Sequence, residues 1–485
     1  MSDIGSTQPV AQPVAADGQV RLFATDPARY FGESRYAMHH LDPQTLTDMQ
    51  LDAARMRFAE LRDRVPVLRT MADELGAIDV QQLDDLAPLL FQHSVYKSYP
   101  ASLLLRGRFD ELTRWLDRLT AVDLSGVSVD GCDSIDAWLD ALDAQCPLRV
   151  AHSSGTTGTM SFLPRTEIEW DRFLRSMRCG LFMFSDPRAE RDHSQERFDI
   201  VWPSYRTGRT GFYRAAQFAH THFAGGEDSR LHVLHPGRLS SDAMFLAGRI
   251  RAAEARGELE QLDVGPALRA RQEEFVRTQQ ELGEAMPRYF AEVIERLRGE
   301  RVWVFGTWTL LYEMASYGLE RDIRGVFAPD TVITTGGGTK GGNPPDDWIE
   351  RVCEFAGVEQ MQQIYGMTEL MGCNHACENA RYHLDPTLIP FVLDPDDGTP
   401  RPRRGVQSGR MAFYDLMAET YWGGFITGDA VTLDWTLCPC GQTTPHLDMR
   451  IERFSDQRQG DDKITCAAAD EAHRAALSFL TSQMV

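Results

Sequence analysis

A six-residue stretch, Ser153-Ser154-Gly155-Thr156-Thr157-Gly158, has the composition of a phosphate-binding loop. Its glycines let backbone N–H groups turn toward an anion, and its hydroxyl side chains add further hydrogen-bond donors. An apolar run typical of a strand, 148–151, precedes it, and a capping box formed by Thr166 and Glu169 should open a helix after it. A nucleotide polyphosphate is the predicted occupant of such a loop.

The stretch matches neither of two common nucleotide-binding motifs. A Walker loop requires G-x-x-x-x-G-K-[ST], and a dinucleotide fingerprint requires G-x-G-x-x-G. Clusters of Ser, Thr and Gly are also common in ordinary solvated loops. The stretch by itself therefore leaves a solvated loop as the alternative.

Three further motifs follow along the chain: the glycines 336–338, Tyr365-Gly366-Met367-Thr368-Glu369, and Thr427-Gly428-Asp429. Thr-Gly-Asp alone is typical of a turn. In this order and at this spacing, the set resembles the adenylate-forming superfamily of acyl-CoA synthetases, luciferases and peptide-synthetase adenylation domains, and most closely its phenylacetate-CoA ligase branch. The resemblance implies an α/β fold, in which a large adenylate-forming N-terminal domain of mixed and parallel sheets is layered by helices and followed by a truncated C-terminal segment.

The resemblance assigns the triphosphate and the adenine of ATP to the first two motifs. The loop hydroxyls, together with the backbone of Gly155 and Gly158, would hold the β- and γ-phosphates while they become pyrophosphate. Glycine has no Cβ, so the backbone of the second motif can lie flat against adenine. The residues concerned are Ser153, Ser154, Thr156 and Thr157 for the phosphates and Gly336, Gly337 and Gly338 for the adenine.

The later motifs supply the remaining contacts that the resemblance implies. Tyr365, followed by Gly366, would pack on the base, and Thr368 would hydrogen-bond the α-phosphate. Glu369 would help to hold Mg²⁺, a hard cation that prefers carboxylate and phosphate oxygens. Asp429 would accept hydrogen bonds from both ribose hydroxyls. Arg453, in a segment that looks like the hinge of the family, completes the expected nucleotide site.

These assignments predict an enzyme that activates a carboxylic acid with ATP and Mg²⁺ to an acyl-adenylate, releases pyrophosphate and passes the acyl group to a nucleophile. The reaction needs positioning and charge neutralisation more than a general base. The predicted acid is aryl or apolar, and the default acceptor is the thiol of CoA. A protein thiol such as Cys466, or an amine, is the alternative acceptor. A non-catalytic nucleotide-binding protein is the alternative of a different class.

The chain departs from the family pattern in two places. Met160-Ser161-Phe162 stands where relatives commonly carry Pro-Lys, and Arg165 is the candidate to replace that positive charge. The family also usually ends in a lid of about a hundred residues that carries a catalytic lysine, whereas only a short segment with Lys463 follows the predicted hinge. We therefore expect a disordered tail at 1–22, a large domain at 23–458 and a vestigial lid at 459–485.

A second constellation has the residue types of a zinc site: Cys377, His383, Cys438 and Cys440. Four N and S ligands satisfy tetrahedral zinc and leave no open position, which indicates a structural role. Phenylacetate-CoA ligase relatives have similar Cys, His and Cys-x-Cys positions. Cys373 and His375 form a competing pair of ligands, and a set of buried thiols with a surface histidine is the alternative without metal.

The elements that must position these groups read as alternating strands and helices. Residues 301–305 and 331–335 are predicted strands, with a helix at 308–317 between them, which implies a βαβ unit and a largely parallel sheet. Ligands bind beyond the carboxyl ends of such strands, where 336–338 fall. Resemblance places the acyl pocket near 198–223. In that region His220 and His222 alternate as on a strand.

Helical patterns cover much of the remaining chain. The apolar stripe of residues 170–181 indicates a core helix. A helical block at 258–298 is expected to be interrupted by Pro266 and Pro287, and residues 467–484 read as a single helix.

The composition and net charge of the chain indicate which binding partners are disfavoured. The chain has 485 residues, 42% of them hydrophobic, which is enough for a large core. Its net charge of −21 disfavours nucleic acid and anionic membranes as partners. The N-terminal residues lack the pattern of a signal peptide, and no apolar run has the length of a membrane span, so we expect a cytoplasmic protein whose cysteines are thiols or metal ligands.

Overall fold

The computed structural model describes residues 16–153, 155, 158–181, 196–262, 266–336, 344–454 and 470–482. Several residues with a predicted role lie outside the described residues: Ser154, Thr156, Thr157, Gly337, Gly338, Lys463 and Cys466.

Helices make up the N-terminal third of the chain and recur between the strands after it. In chain order the α-helices are α1 (Ala16–Thr25), α2 (Pro27–Tyr30), α3 (Arg35–His39), α4 (Pro43–Leu61), α5 (Pro66–Leu75), α6 (Ala101–Leu105), α7 (Phe109–Asp117), α8 (Ile135–Gln145), α9 (Glu167–Gly180), α10 (Gly211–His222), α11 (Ser241–Arg256), α12 (Pro266–Arg296), α13 (Trp308–Leu319), α14 (Trp348–Ala356) and α15 (Asp470–Thr481). Short 3-10 turns occupy Leu83–Leu89, Val95–Lys97, Asp228–Arg230 and Leu259–Gln261.

The described strands form two large sheets and one pair of short strands. They are β1 (Phe91–Gln92), β2 (Ala151–His152), β3 (Phe162–Leu163), β4 (Asp199–Thr207), β5 (Leu231–Arg238), β6 (Val302–Gly306), β7 (Val332–Gly336), β8 (Gln362–Tyr365), β9 (Asn374–His375), β10 (Arg381–His383), β11 (Leu388–Leu393), β12 (Val406–Asp415), β13 (Gly424–Asp434), β14 (His446–Asp448) and β15 (Glu452–Arg453).

One sheet runs in the order β5-β4-β6-β7-β8-β9, and its neighbours are parallel except for the β8–β9 pair. A seven-stranded sheet runs β10-β14-β13-β12-β11, with β1 and β15 also paired to β13, and β2 and β3 form a separate antiparallel pair. The predicted strand, helix and strand at β6, α13 and β7 are confirmed, and β6 and β7 are parallel neighbours. The carboxyl ends of the parallel strands therefore meet along one edge, where the predicted nucleotide residues begin.

Helices cover both faces of the parallel sheet. Trp170 of α9 and Ala215 of α10 share an apolar cluster with Trp202 of β4, which confirms that the stripe of α9 belongs to the core. On the other side, α12, α13 and α14 pack on β6 and β7 in a second cluster. Two covered faces explain why the central strand β6, Val302–Gly306, is an apolar run without alternation.

Local signals in the sequence decide where α9 begins. The side chain of Thr166 accepts a hydrogen bond from the backbone N–H of Glu169, and the Glu169 carboxylate accepts one from the backbone N–H of Thr166. The predicted capping box is therefore confirmed.

Three predictions from the sequence need correction. Helix α1 occupies 16–25, so the disorder predicted for 16–22 is wrong. His220 and His222 lie on α10, because that segment packs its apolar face on the sheet as a helix. Pro287 does not interrupt α12, where Tyr289 and Val293 are buried in the core and favour a continuous helix.

The predicted C-terminal helix is confirmed over α15, which packs on α5. Ala472, Ala476 and Leu480 enter the large N-terminal core cluster, and the Arg118 guanidinium donates to backbone carbonyls at the end of α15. The division at 458 stays a prediction, since 455–469 lie outside the described residues. Among the described helices, none combines the length and apolar character that crossing a membrane requires.

Candidate functional site

The described residues of the predicted phosphate loop are Ser153, Gly155 and Gly158, and Ser153 is tied to the chain just before β3. The backbone N–H of Ser153 donates to the Ser161 carbonyl at 3.0 Å, and the Ser161 N–H donates to Ser153 Oγ at 2.9 Å. Gly155 and Gly158 have φ of +63° and +88°, and the Gly158 N–H donates to the Gly155 carbonyl at 2.8 Å. Only glycine adopts such backbone angles without strain, which explains the two glycines of the motif.

Helix α11 lies directly against the loop. A Cβ added at Gly248 would lie 2.2 Å from the Gly155 carbonyl oxygen, and one added at Gly158 would lie 3.1 Å from Cβ of Ala252. The close approach of helix and loop therefore requires glycine on α11. No hydrogen bond joins the described loop residues 153, 155 and 158 to Tyr365 or Asp429.

A buried histidine that the sequence analysis missed holds the start of the loop. His152 is fully buried, and its Nδ1 lies 2.9 Å from the Ser153 carbonyl oxygen, while its Nε2 lies 2.9 Å from Ser241 Oγ. Ser241 Oγ donates to Asp136 at 2.7 Å. Burial lowers the pKa of His152 to about 4. Because Ser241 is 89 positions from His152, no local pattern indicates this contact.

The residues predicted for base and ribose are in direct contact. The Tyr365 hydroxyl donates to Asp429 Oδ2 at 2.8 Å, and Nε of Arg453 lies 3.1 Å from Asp429 Oδ1. Burial, together with the negative charge of Asp429, raises the pKa of Tyr365 well above its ordinary value. The phenol therefore stays a hydrogen-bond donor at neutral pH.

Two sheets combine to make this contact. Tyr365 is the last residue of β8 in the parallel sheet, whereas Asp429 and Arg453 are opposite each other on β13 and β15. Gly336 ends β7 beside Ile364 of β8, and a Cβ on Gly336 would lie 3.3 Å from the Ile364 carbonyl oxygen. The structure thus brings Gly336 next to the Tyr365 group at the carboxyl edge of the sheet.

The loop after β8 presents Thr368 and Glu369 as half-buried side chains. Within the described part of the chain, neither side chain has a hydrogen bond or an ion pair. Asp415 fixes the loop beyond them, since its Oδ2 accepts the Met371 N–H at 2.6 Å, and burial raises the pKa of Asp415 to about 6. Two oxygen-bearing side chains on a fixed loop are suited to a phosphate and its cation.

Among the described residues, Arg165 makes no hydrogen bond to the phosphate-loop residues 153, 155 and 158. Its side chain is buried, its guanidinium lies over the ring of Trp170, and its Nε donates to the Tyr421 hydroxyl at 2.9 Å. The apolar stem and planar head of an arginine favour such stacking between rings. Its observed role is packing between α9 and the segment before β13.

Four predicted zinc ligands converge. The ligand atoms of Cys377, His383, Cys438 and Cys440 all lie within 4.8 Å of one another. Cys377 Sγ and Cys438 Sγ are 3.9 Å apart, and Cys440 Sγ lies 3.2 Å from His383 Nε2. With Zn–S bonds of about 2.3 Å, the edges of a tetrahedron are roughly 3.8 Å, so the donor set fits zinc.

The surroundings of the four ligands also suit a metal. Thr444 Oγ1 lies 3.3 Å from His383 Nδ1 and so orients the ring that presents Nε2, as outer-shell groups do at metal sites. Gly441, with φ of +88°, makes the turn after Cys-x-Cys. Hydrogen bonds from Cys440 and His383 hold the pKa of Cys377 below its ordinary value. Two local pairs, Cys377 with His383 and Cys438 with Cys440, thereby form one closed cluster.

The competing ligand pair lies elsewhere. Cys373 and His375 are not in the four-residue cluster, and His375 faces α9, where a Cβ on Gly180 would lie 2.0 Å from its Nε2. Neither ring nitrogen of His375 has a hydrogen-bond partner among the described residues, and burial lowers its pKa to about 3.

Aromatic rings line the sheet between β4 and β6 on the α10 side. The ring centroids of Trp202 and Phe212 are 4.1 Å apart, and those of Trp202 and Phe305 are 5.4 Å apart. Phe212 and Phe305 are each half-buried. This cluster lies within and beside the 198–223 region where the resemblance places the acyl pocket.

No protein-family model and no curated protein matches the sequence. Among solved structures, the chain is similar to 2-hydroxyisobutyryl-CoA ligase. In the open conformation of that ligase with 2-HIB-AMP and CoA, the TM-score is 0.50 at 11% identity, and the match covers 86% of this chain and 71% of that chain. In its thioesterification state with 2-HIB-AMP and CoA, the TM-score is 0.50 at 13% identity, with 93% and 74% covered. The predicted α/β fold, with mixed and parallel sheets layered by helices, is confirmed by this likeness.

Proposed function

We propose that this chain is an AMP-forming ligase that joins a carboxylate to the α-phosphate of ATP, releases pyrophosphate, and then transfers the acyl group to a thiol. The observation that carries the proposal is the contact of Tyr365 with Asp429 and of Asp429 with Arg453. Tyr365 offers a ring for the base, Asp429 offers an acceptor for the ribose, and Arg453 adds a positive charge. Together they lie at the carboxyl edge of the parallel sheet, where an adenosine ligand could bind.

The remaining groups have the chemistry that adenylation needs. The carboxylate of Glu369 would hold Mg²⁺ against the phosphates, and the Thr368 hydroxyl would donate to the α-phosphate. The phosphate loop would hold the leaving pyrophosphate through its backbone and hydroxyl groups. Charge that develops at the α-phosphorus is then met by groups already in place, which is how preorganised sites lower a barrier.

The proposed acid is aryl or apolar. The cluster of Trp202, Phe212 and Phe305 offers ring faces and no charged side chain of its own, so an apolar acyl group would bury surface there. The proposed subtype is the phenylacetate-CoA ligase branch, and the Cys and His cluster supports it.

The proposed acceptor is the thiol of CoA. The similar 2-hydroxyisobutyryl-CoA ligase was solved with CoA bound, which supports this choice. Transfer to Cys466 or to an amine is the alternative that the sequence analysis left open.

The proposed metal at Cys377, His383, Cys438 and Cys440 is structural zinc. Four protein ligands leave no position for water or substrate, so such an ion would supply cross-linking of chain segments and no reaction step. The ion would link the segment after Glu369 to the segment after Asp429 and so hold the two segments in a fixed relative position.

Pyrophosphate release from ATP and Mg²⁺ tests the proposal, measured without acceptor across aryl, fatty and hydroxy acids. We expect release that depends on one class of acid and falls about a hundredfold in Glu369→Gln. Glu359→Gln removes an exposed carboxylate from the turn before β8 and should leave the rate unchanged. ATP binding without release for any acid would favour the non-catalytic alternative.

A further inference from the structure

A cavity of about 210 Å³ lies at the outer end of the parallel sheet. Its wall includes the end of β4 at Thr207 and Gly208, and it also includes Arg209, Arg214, Gln217 and Arg238. Every charged side chain of this wall is an arginine. In a chain with a net charge of −21, a cavity walled by cations is an unusual local environment.

Two of the arginines are already compensated by acids on α8. Arg209 forms ion pairs with Asp140 and Asp143. Arg238 forms ion pairs with Asp136 and Asp140 at 3.0 and 2.9 Å. These acids therefore hold the two guanidinium groups in place, while Oδ1 of Asp143 is buried without a hydrogen-bond partner among the described residues.

Arg214 has no such ion pair among the described residues, although the negative charges of Asp143 and Glu167 lie close enough to act on it. Its Nε and Nη2 are buried, and neither has a hydrogen-bond partner in the described part of the chain. Burial lowers the pKa of Arg214 to about 10, so the group is still charged at neutral pH. A buried donor without an acceptor is costly, and a ligand with several acceptor oxygens would remove that cost.

The location is also one where ligands bind. β4 and β5 are parallel neighbours, and the cavity lies beyond the carboxyl ends of both, at Thr207 and Arg238. Helix α10 begins beside it, and the side chain of Thr210 makes no capping hydrogen bond there. The cavity lies at the β5–β4 pair, and the proposed adenosine site lies at the β7–β8 pair of the same sheet. Three strand spacings of about 4.8 Å separate the two pairs, which places the two sites about 14 Å apart along the same edge.

We propose that this arginine-lined cavity binds a phosphoryl group, at a site distinct from the phosphate loop. Three guanidinium groups around one cavity match the several oxygens of a phosphate, and the amide of Gln217 adds a further donor. The shared chemistry is a phosphate, either free or at the end of a nucleotide-bearing ligand that reaches along the sheet edge.

The test is calorimetric titration of the full chain with inorganic phosphate and with adenosine 3′,5′-bisphosphate. We expect saturable binding that weakens about tenfold in Arg214→Gln, because a charge-assisted contact is lost. Arg206→Gln removes an arginine paired with Asp228 near the same strand end but outside the cavity wall, and it should change binding less than twofold. None of these substitutions changes a residue of the phosphate loop. Any phosphate that binds at that loop therefore contributes equally to the titrations of wild type and variants.

Gln217→Glu gives a second variant that keeps Arg214. Gln217 is exposed, so the fold should tolerate the change, and the new carboxylate would pair with the guanidinium and exclude a phosphate. We expect this variant to lose binding to the same extent as Arg214→Gln.

The two probes separate the sources of the phosphate. Equal affinity for both would identify a site for free phosphate, and at least about tenfold tighter binding of the bisphosphate would identify a nucleotide-bearing ligand. Binding that is not saturable, or that is unchanged in both Arg214→Gln and Gln217→Glu, would overturn the proposal. Neither result depends on pyrophosphate release, so the proposed ligase activity is tested separately.

Discussion

The phenol of Tyr365 and the carboxylate of Asp429 share a 2.8 Å hydrogen bond, although they belong to different sheets. The bond joins the carboxyl end of β8 to the middle of β13, and Arg453 completes it from β15. It thereby aligns the two sheets at the proposed adenosine site. The carboxylate is held in place before any ligand arrives, which is the arrangement that keeps binding costs low.

Asp429→Asn tests the ribose contact directly. The amide keeps the size of the side chain but removes the charge and one acceptor, so we expect the KM for ATP to rise by about 10- to 100-fold. Tyr365→Phe keeps the ring that would pack on the base, so we expect the KM for ATP to change by about threefold or less. The rate of pyrophosphate release at varied ATP concentrations gives the KM of both variants. Asp434→Asn, on the same strand away from the site, is the control, and an equal effect there would contradict the assignment.

Metal content tests the zinc cluster. Purified protein should hold about one zinc per chain, and Cys440→Ser should lose it and lower the free energy of unfolding by about 3 kcal/mol or more. Cys132→Ser replaces a half-buried thiol outside the cluster and should keep the metal. Elemental analysis and thermal unfolding give the two readouts. Wild-type protein without zinc after purification in metal-replete medium would refute the prediction.

Local signals made part of this structure predictable. The capping box at Thr166, the strand and helix periodicities around β6, and the residue types of the Cys and His cluster all depend on nearby residues or on side-chain chemistry. His220 was misassigned because period-two spacing over three residues is too short to exclude a helix. The docking of α15 on α5 and the contact of His152 with Ser241 are long-range packing events that no local pattern encodes.

Acid should destabilise the fold through two buried histidines. The pKa of His152 is about 4 and that of His375 about 3 in the folded protein, below the ordinary value of 6.5. The unfolded chain therefore takes up protons first as pH falls below 6.5, and the stability present above that pH is lost toward pH 4. Each histidine contributes up to about 3 kcal/mol to this loss.

Urea unfolding of His375→Gln at pH 8 and at pH 4.5 isolates the effect of that histidine. At pH 8 the difference from wild type reports packing alone, since histidine is neutral in both folded and unfolded states. A smaller loss of stability between the two pH values than in wild type is expected. An identical loss in variant and wild type would contradict the assignment.

Gly248→Ala tests the phosphate loop without touching its residues. The new Cβ would lie 2.2 Å from the Gly155 carbonyl oxygen, a distance that no Cβ tolerates, so α11 or the loop must move. A displaced loop would no longer align its N–H groups with the phosphates, and we expect the KM for ATP to rise about tenfold or more. Gly283→Ala, in the exposed part of α12 with nothing within 4 Å of its added Cβ, is the matched control. It should leave the KM unchanged and stabilise the helix by about 1 kcal/mol. If Gly248→Ala binds ATP as wild type does while the loop has moved, the triphosphate is held by other residues.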